Sequence, residues 1–384
     1  MINHPHIRMI NNFYVKLVNK TYSLLGNIRF KGASVFVNKN TLLILRLDSI
    51  GDYVLFRNFI QILKTSEKYK DYRITLCGNL WWKDLAENLD GKYIDEFIWV
   101  DYFQMNNNPK YRFKIHKKIY FKKFEVLIHP SFSRDMLSDE IVINSGAKAK
   151  IGYNGDLTNL SQSQKNTNDL SYTHLIPSLS KYKFEFYRNR DFFEQLLSQK
   201  ITLLKPKISY PKAIENKIVI CPGAKDAFRR WSPKKFAQLC DMLKTEFPSD
   251  EFIICGSKQD SIFATEIMHN SEIHFYDSTG KLNLIELIQI IAQAKLVITN
   301  DSSPFHIAVA LDKKVICLSN GNNYGRFSPY PNQMYTNSSV IYPSEILTLS
   351  EEERLERFCK EVKNIDINEI EVELVFLKIK KMFF

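Results

Sequence analysis

The sequence predicts an α/β protein of two doubly wound domains in tandem, with a cleft between the carboxyl ends of their sheets. Three observations carry this. Short apolar runs alternate with helical patterns across residues 41–199, and the same alternation returns across 217–318. Between the two series, at 203–216 (LLKPKISYPKAIEN), two prolines and a loss of periodicity mark a linker. A chain of 384 residues has the length of two domains.

In the first series the expected strands are 41–46 (TLLILR), 72–76, 96–100 and 124–129, and the expected helices are 52–64, 80–88, 134–145 and 183–199. In the second, strands are expected at 217–221 (KIVIC), 252–255, 273–276, 295–299 and 314–318, with helices at 233–246, 259–269, 283–293 and 303–311. The domains are then a basic arm at 1–40, a first domain at 41–205, a second at 206–345, and tail helices at 346–384 that pack back across both.

Composition narrows the class. Hydrophobic residues make up 45% of the chain, enough for packed cores. No run of eighteen apolar residues occurs, so no membrane-spanning helix is expected, and no secretory signal is legible. Six scattered cysteines without a C-x-x-C pair read as reduced core thiols in a cytoplasmic protein and argue against a zinc site. The formal charge of +11 is uneven. Residues 1–40 hold Arg8, Lys16, Lys20, Arg29, Lys31 and Lys39 and no acidic residue, and seven Lys/Arg lie between Lys110 and Lys123 among aromatics. Such a field suits an anionic membrane surface, a phosphorylated glycolipid or a nucleic acid; it equally describes a solvated face.

Three strand-to-helix turns carry the chemistry. The first is DSIGD, Asp48–Asp52. It has one glycine and two carboxylates, so it is no phosphate loop. A carboxylate past a strand end, facing a cleft, can act as a general base, although either Asp can also cap the helix. The second is CPGAKDAFRRWSPKKF. Gly223 and Ala224 let backbone approach a ligand, and Lys225, Arg229 and Arg230 supply cations for a diphosphate. The third is VITNDSSPFHIAVAL, where Asp301, Ser302 and Ser303 stand at a helix start whose dipole attracts an anion, with His306 in the first turn. No D-x-D pair exists to chelate a metal–diphosphate, so a leaving diphosphate needs cationic side chains and backbone donors.

In this order, these pieces resemble glycosyltransferase family 9, the ADP-heptose:lipopolysaccharide heptosyltransferases. The resemblance rests on ILRLDSIGDYVLFRNFIQILK, PGAKDAFRRWSPKKFAQLCDML, STGKLNLIELIQIIAQAKLVITNDSSPFHIAVALDKKVICL and SNGNNYGRFSPYP, with HPSFSRDMLSDEIVINSGAKAKIGY between them. It implies a GT-B fold and an inverting, metal-independent heptose transfer from ADP-heptose to a lipopolysaccharide core or related surface glycan. The donor would bind the second domain and the acceptor the first. It implies Asp52 as base, with Ser49 and Gly51 on the acceptor side. Arg229, Lys225, Asp301, Ser302, Ser303 and His306 would surround the donor diphosphate, and Gly223, Ala224, Gly280 and Lys281 would form the donor turns. No cofactor or metal is implied. The setting would be the cytoplasm, at the inner face of a Gram-negative inner membrane. This chain departs from the family pattern at Ser303 (usually Gly), Arg229 (commonly Lys) and Cys221 (often His). An acidic residue for the donor ribose has no clear counterpart; CGSKQD offers Lys258, Gln259 and Asp260. Two other readings stay open: a GT-B transferase for a UDP- or GDP-hexose, and a non-catalytic basic binding protein on the same fold.

Overall fold

A computed structural model describes residues 36–211, 216–360, 362 and 364–383. Most of the basic arm, residues 1–35, lies outside them. The first sheet contains β1 (Asn38–Arg46), β2 (Arg73–Asn79), β3 (Glu96–Val100), β4 (Phe124–His129), β5 (Ala149–Tyr153) and β6 (His174–Ile176). Its order is β3-β2-β1-β4-β5-β6, and every pairing is parallel. The second contains β7 (Lys217–Cys221), β8 (Glu251–Ile254), β9 (Phe275–Asp277), β10 (Ala294–Asn300), β11 (Val315–Leu318) and β12 (Ser338–Ile341), ordered β12-β11-β10-β7-β8-β9 and again parallel.

Both sheets repeat one winding, in which the first and fourth strands of each series lie side by side. The chain reverses direction across the sheet there, which opens a crevice at the strands' carboxyl ends. The DSIGD turn follows β1. The other two motif turns follow β7 and β10. All three therefore stand at switch points.

Helices cover both faces, so the central strands are apolar throughout: Leu42, Leu43, Ile44 and Leu45 of β1 are wholly buried. Strands β5, β6 and β12 were not expected. They are short and partly exposed at or near the sheet margins, and carry Gly, His and Ser where a buried strand would carry Val or Ile. The basic stretch is a helix, Pro109–Phe121, capped by the Asn108 side chain, which accepts from the Lys110 and Tyr111 amides at 3.1 and 3.2 Å. The segment expected as one helix at 52–64 is two, Ile50–Phe56 and Asn58–Thr65, meeting at Arg57. Arg57 grips Asp90 with Nε and Nη2, at 3.0 and 2.8 Å.

The linker touches both domains. The Lys207 amide donates to Asn58 Oδ1 at 2.8 Å, and the Ile208 amide to the Ala310 carbonyl at 2.8 Å. The tail departs from expectation. Its last helix, Val372–Phe383, buries Val372, Val375 and Ile379 in the second domain's core beside Phe236 and Leu243. The Trp231 indole donates to the Ile370 carbonyl at 3.0 Å and pins the helix start there. Cys359 and Lys360, between the tail helices, share a cavity with first-domain loops.

A tight contact shapes the first turn. A Cβ at Gly78 would stand 2.1 Å from the Trp82 ring, which stacks on Tyr53 and donates Nε1–H to the Asp48 carbonyl at 3.0 Å. Gly78→Ala should therefore overpack this site and lower stability by about 1–3 kcal/mol. Denaturant unfolding checks it; an unchanged midpoint would mean that Trp82 moves freely.

Candidate functional site

The helix after β1 starts at Ser49, and Asp52 sits at its third position. The Ser49 amide donates to Asp52 Oδ2 at 3.3 Å, a capping-box contact that aims the carboxylate back over the turn. Asp48 points elsewhere. Its carboxylate meets Arg46 Nε at 2.8 Å, while its carbonyl holds Trp82. Arg46 is wholly buried, donates to Asn189 Oδ1 at 2.9 Å and lies 4.0 Å from Glu185.

This surrounding sets the proton affinity of Asp52. Lost hydration raises its pKa first, and the negative charges of Asp48 and Glu185 raise it further. Arg46 and Arg326 pull it down, and the balance leaves it at about 7. Burial also pushes Asp48 up, against the pull of Arg46. A carboxyl poised near neutrality suits a general base.

Arg326 comes from the second domain. It donates Nε–H to Glu185 Oε2 at 3.0 Å and Nη1–H to Ser133 Oγ at 2.7 Å, and its carbonyl accepts the Glu185 amide at 2.8 Å. It thus ties the domains together beside Asp52. If Asp52 is the proton acceptor in turnover, it works only when ionised, so the rate at limiting substrate should fall as pH drops below about 7. Arg326→Gln removes a cation that favours the ionised form, so its acid limb should move to higher pH. A profile superimposing on wild type would remove Arg326 from the field of Asp52.

The helix Ser303–Ala310 packs directly against Ile50–Phe56, from the other domain. Gly51 makes room for it: a Cβ there would stand 2.7 Å from His306 Cδ2. The His306 ring pairs through Nδ1 with the Tyr330 hydroxyl at 2.9 Å. Burial, and then Arg229, lower its pKa to about 3, so His306 is neutral at working pH. It can share a hydrogen bond but not supply a cation.

Asn300 locks the two second-domain turns together, donating to the Pro222 carbonyl at 2.7 Å and accepting from the Trp231 amide at 3.1 Å. Arg229 donates through Nη2 to the Asp301 carbonyl, and its Nε–H is buried with no acceptor among the described residues. Arg230 donates to the carbonyls of Ala224 and Lys225, at 2.7 and 3.0 Å, and so holds the small-residue turn open. Ser302 caps the next helix by position without a side-chain cap bond; its hydroxyl donates to the Asn300 carbonyl at 3.2 Å.

A cavity of about 640 Å³ lies between the domains at this point. Of the expected residues, Gly223, Ala224, Lys225, Ser302 and Ser303 line it. Asp301 does not: it is buried behind the turn, accepting from Ser319 and Ser328 at 3.2 and 3.4 Å, and supports Arg229 from 3.6 Å. Lys281 also stays outside, bonded to the Asp277 carbonyl at 2.6 Å. Gly280 shapes the neighbouring turn at φ +69°, with its amide on the Gly256 carbonyl at 2.9 Å.

Sequence reasoning missed the first-domain lining, Ile50, Trp81 and Asp84. The WW pair in GNLWWKD was the available signal: Trp82 is core, but Trp81 is 58% exposed. Gln259 and Asp260 line the cavity too, and a Cβ at Gly223 would stand 2.5 Å from the Asp260 carboxylate. Arg46, Glu185 and Arg326 were also missed, although Arg326 lies within SNGNNYGRFSPYP.

The sequence profile of glycosyltransferase family 9 (heptosyltransferase) matches residues 113–356, more than half of the chain, including both donor turns but not Asp52. Lipopolysaccharide heptosyltransferase 1 of Campylobacter coli is 27% identical over 206 residues, 53% of this chain and 54% of the relative. Lipooligosaccharide heptosyltransferase 2 of Haemophilus influenzae is 34% identical over 117 residues, 29% of this chain and 32% of the relative. The chain thus spans about half or less of the length of these relatives. Among solved structures, a family 9 glycosyl transferase from Veillonella parvula superimposes with a TM-score of 0.69 at 17% identity, covering 90% of this chain and 97% of that one. The E. coli heptosyltransferase WaaC with ADP-2-deoxy-2-fluoro heptose gives 0.65 at 14%, covering 89% and 99%. At such identities the likeness is one of fold, the GT-B arrangement of two Rossmann-like domains. With that fold and the profile match across the greater part of its length, the chain belongs to glycosyltransferase family 9, the heptosyltransferase family.

Proposed function

We propose that the protein is an inverting, metal-independent glycosyltransferase that moves a heptose from ADP-heptose to a lipopolysaccharide core or related surface glycan. The observation that carries this is the facing pair of helices. One presents Asp52, with a pKa near 7; the other begins at Ser302–Ser303 beside the cavity and Arg229.

The acceptor hydroxyl gives its proton to the Asp52 carboxylate as its oxygen bonds to the anomeric carbon. The anomeric carbon–oxygen bond to the diphosphate breaks on the opposite face, and the diphosphate keeps the electron pair. The transition state resembles an oxocarbenium ion, as in glycoside hydrolysis. Lys225, Arg229 and the helix start receive the departing charge. The unpartnered Arg229 Nε–H supports this, because a buried donor without an acceptor invites an anionic ligand. Asp260 stands where it can meet ribose hydroxyls beside the Gly223 turn. The acceptor's lipid end would set the reaction at the inner face of a Gram-negative inner membrane. Among the described residues, no helix is long and apolar enough to cross a membrane.

Thermal-shift titration with ADP, UDP and GDP tests the donor. ADP is expected to raise the melting temperature most, since a ligand bound only by the native state stabilises it by mass action. A larger shift with UDP or GDP would overturn the ADP-sugar assignment.

A further inference from the structure

The helix Pro109–Phe121 leaves one face open. Its exposed residues are Lys110, Lys114, Lys117, Lys118 and Phe121. At about 100° per residue they fall within an arc of about 100°. The opposite face, with Arg112, Ile115, His116 and Ile119, is buried. Acidic neighbours are already engaged: Glu96 with Lys122 at 2.6 Å, Glu140 with Arg112 at 3.4 Å, and Glu125 with the Asn40 amide at 2.7 Å. Among the described residues, none of the four lysines has a carboxylate partner. Phe121, at the C-terminal end of the row, is 59% exposed, and Phe103, in the preceding short helix Tyr102–Asn107, is 69% exposed.

The chain enters the first sheet at the same end. The Asn38 amide and side chain donate to the carbonyls of Lys123 and Lys122, both at 2.9 Å, and Phe36 is 79% exposed. Residues 1–35 therefore join the described chain beside this lysine row. They carry five Lys/Arg and no acidic residue, so they bring these lysines no carboxylate partner.

We propose that this face docks on an anionic lipid bilayer, with the lysine ammonium groups among the phosphates and Phe103 and Phe121 entering the interface. A bilayer offers negative charge and an apolar medium in one plane, which a row of lysines beside exposed phenyl rings needs. A nucleic acid duplex would satisfy the lysines but offers no apolar medium for the exposed phenyl rings. The inference rests on the proposed function only in expecting an acceptor held at a membrane.

The test uses the full chain and vesicles of phosphatidylglycerol or phosphatidylcholine. Lys110→Gln/Lys114→Gln/Lys117→Gln/Lys118→Gln should lower partition to phosphatidylglycerol vesicles by roughly 1,000-fold, since each cation near such a surface contributes about fivefold. Phe103→Ser/Phe121→Ser should retain binding at low salt and lose what survives at high salt. Unchanged partition of the lysine variant would overturn the proposal. So would equal binding of wild type to phosphatidylcholine, or a loss seen with duplex DNA but not vesicles. Transfer to a soluble, lipid-free acceptor, run in parallel, should be unchanged in both variants. Wild type that binds vesicles but transfers no heptose would overturn the proposed function and leave the docking face standing.

Discussion

Asp52→Asn should lower kcat by about 100- to 10,000-fold, the range a positioned general base contributes. The amide keeps the shape of the carboxylate but cannot take a proton at neutral pH. The capping contact with the Ser49 amide survives through the amide oxygen, so the melting temperature should stay near wild type. ADP affinity should stay near wild type as well, because Asp52 is not among the residues that line the cavity at the donor turns. Asp48→Asn should lose far less rate, since its carboxylate is occupied by Arg46 at 2.8 Å. Single-turnover transfer measures the chemical step directly. Wild-type rate for Asp52→Asn under those conditions would move the base assignment to Asp48.

Arg229→Ala should weaken ADP binding by roughly 1.5–3 kcal/mol, the worth of a hydrogen bond to a charged group. That is about 10- to 150-fold in Kd. Ser302→Ala should do less, because its hydroxyl already serves the Asn300 carbonyl and the backbone donors of the helix start remain. Arg229→Lys is an informative control. It restores charge but not the planar fork whose Nη2 holds the Asp301 carbonyl. Titration calorimetry giving wild-type affinity for the alanine variant would take Arg229 out of the donor site.

Much of the site was legible because its parts are local. Asp52 is readable as a carboxylate six residues past a strand end, and Ser302–Ser303 as small polar residues before a proline at a helix start. Residues that act by pairing elsewhere were not. Asp301 has the composition of a cap, but the fold turns it inward onto Ser319 and Ser328. Lys281 has the charge for a phosphate, yet it folds back onto its own turn. The lining from Trp81 and Asp84 was missed because it belongs to the first domain, while the donor turns that share the cavity are over a hundred residues away.

The sequence by itself determined the fold class, the placing of three motif turns at strand ends, and the identity of Asp52 and Arg229 as candidates. Apolar periodicity and turn chemistry are short-range properties, written in windows of ten to twenty residues. Only the tertiary structure decided the proton affinity of Asp52, which depends on Arg46, Asp48, Glu185 and Arg326 together. It alone set His306 against Gly51, and Arg326 across the cleft on Glu185. Electrostatic fields and close packing depend on distance in space, and the closing of two separately wound sheets brings those residues within reach of one another.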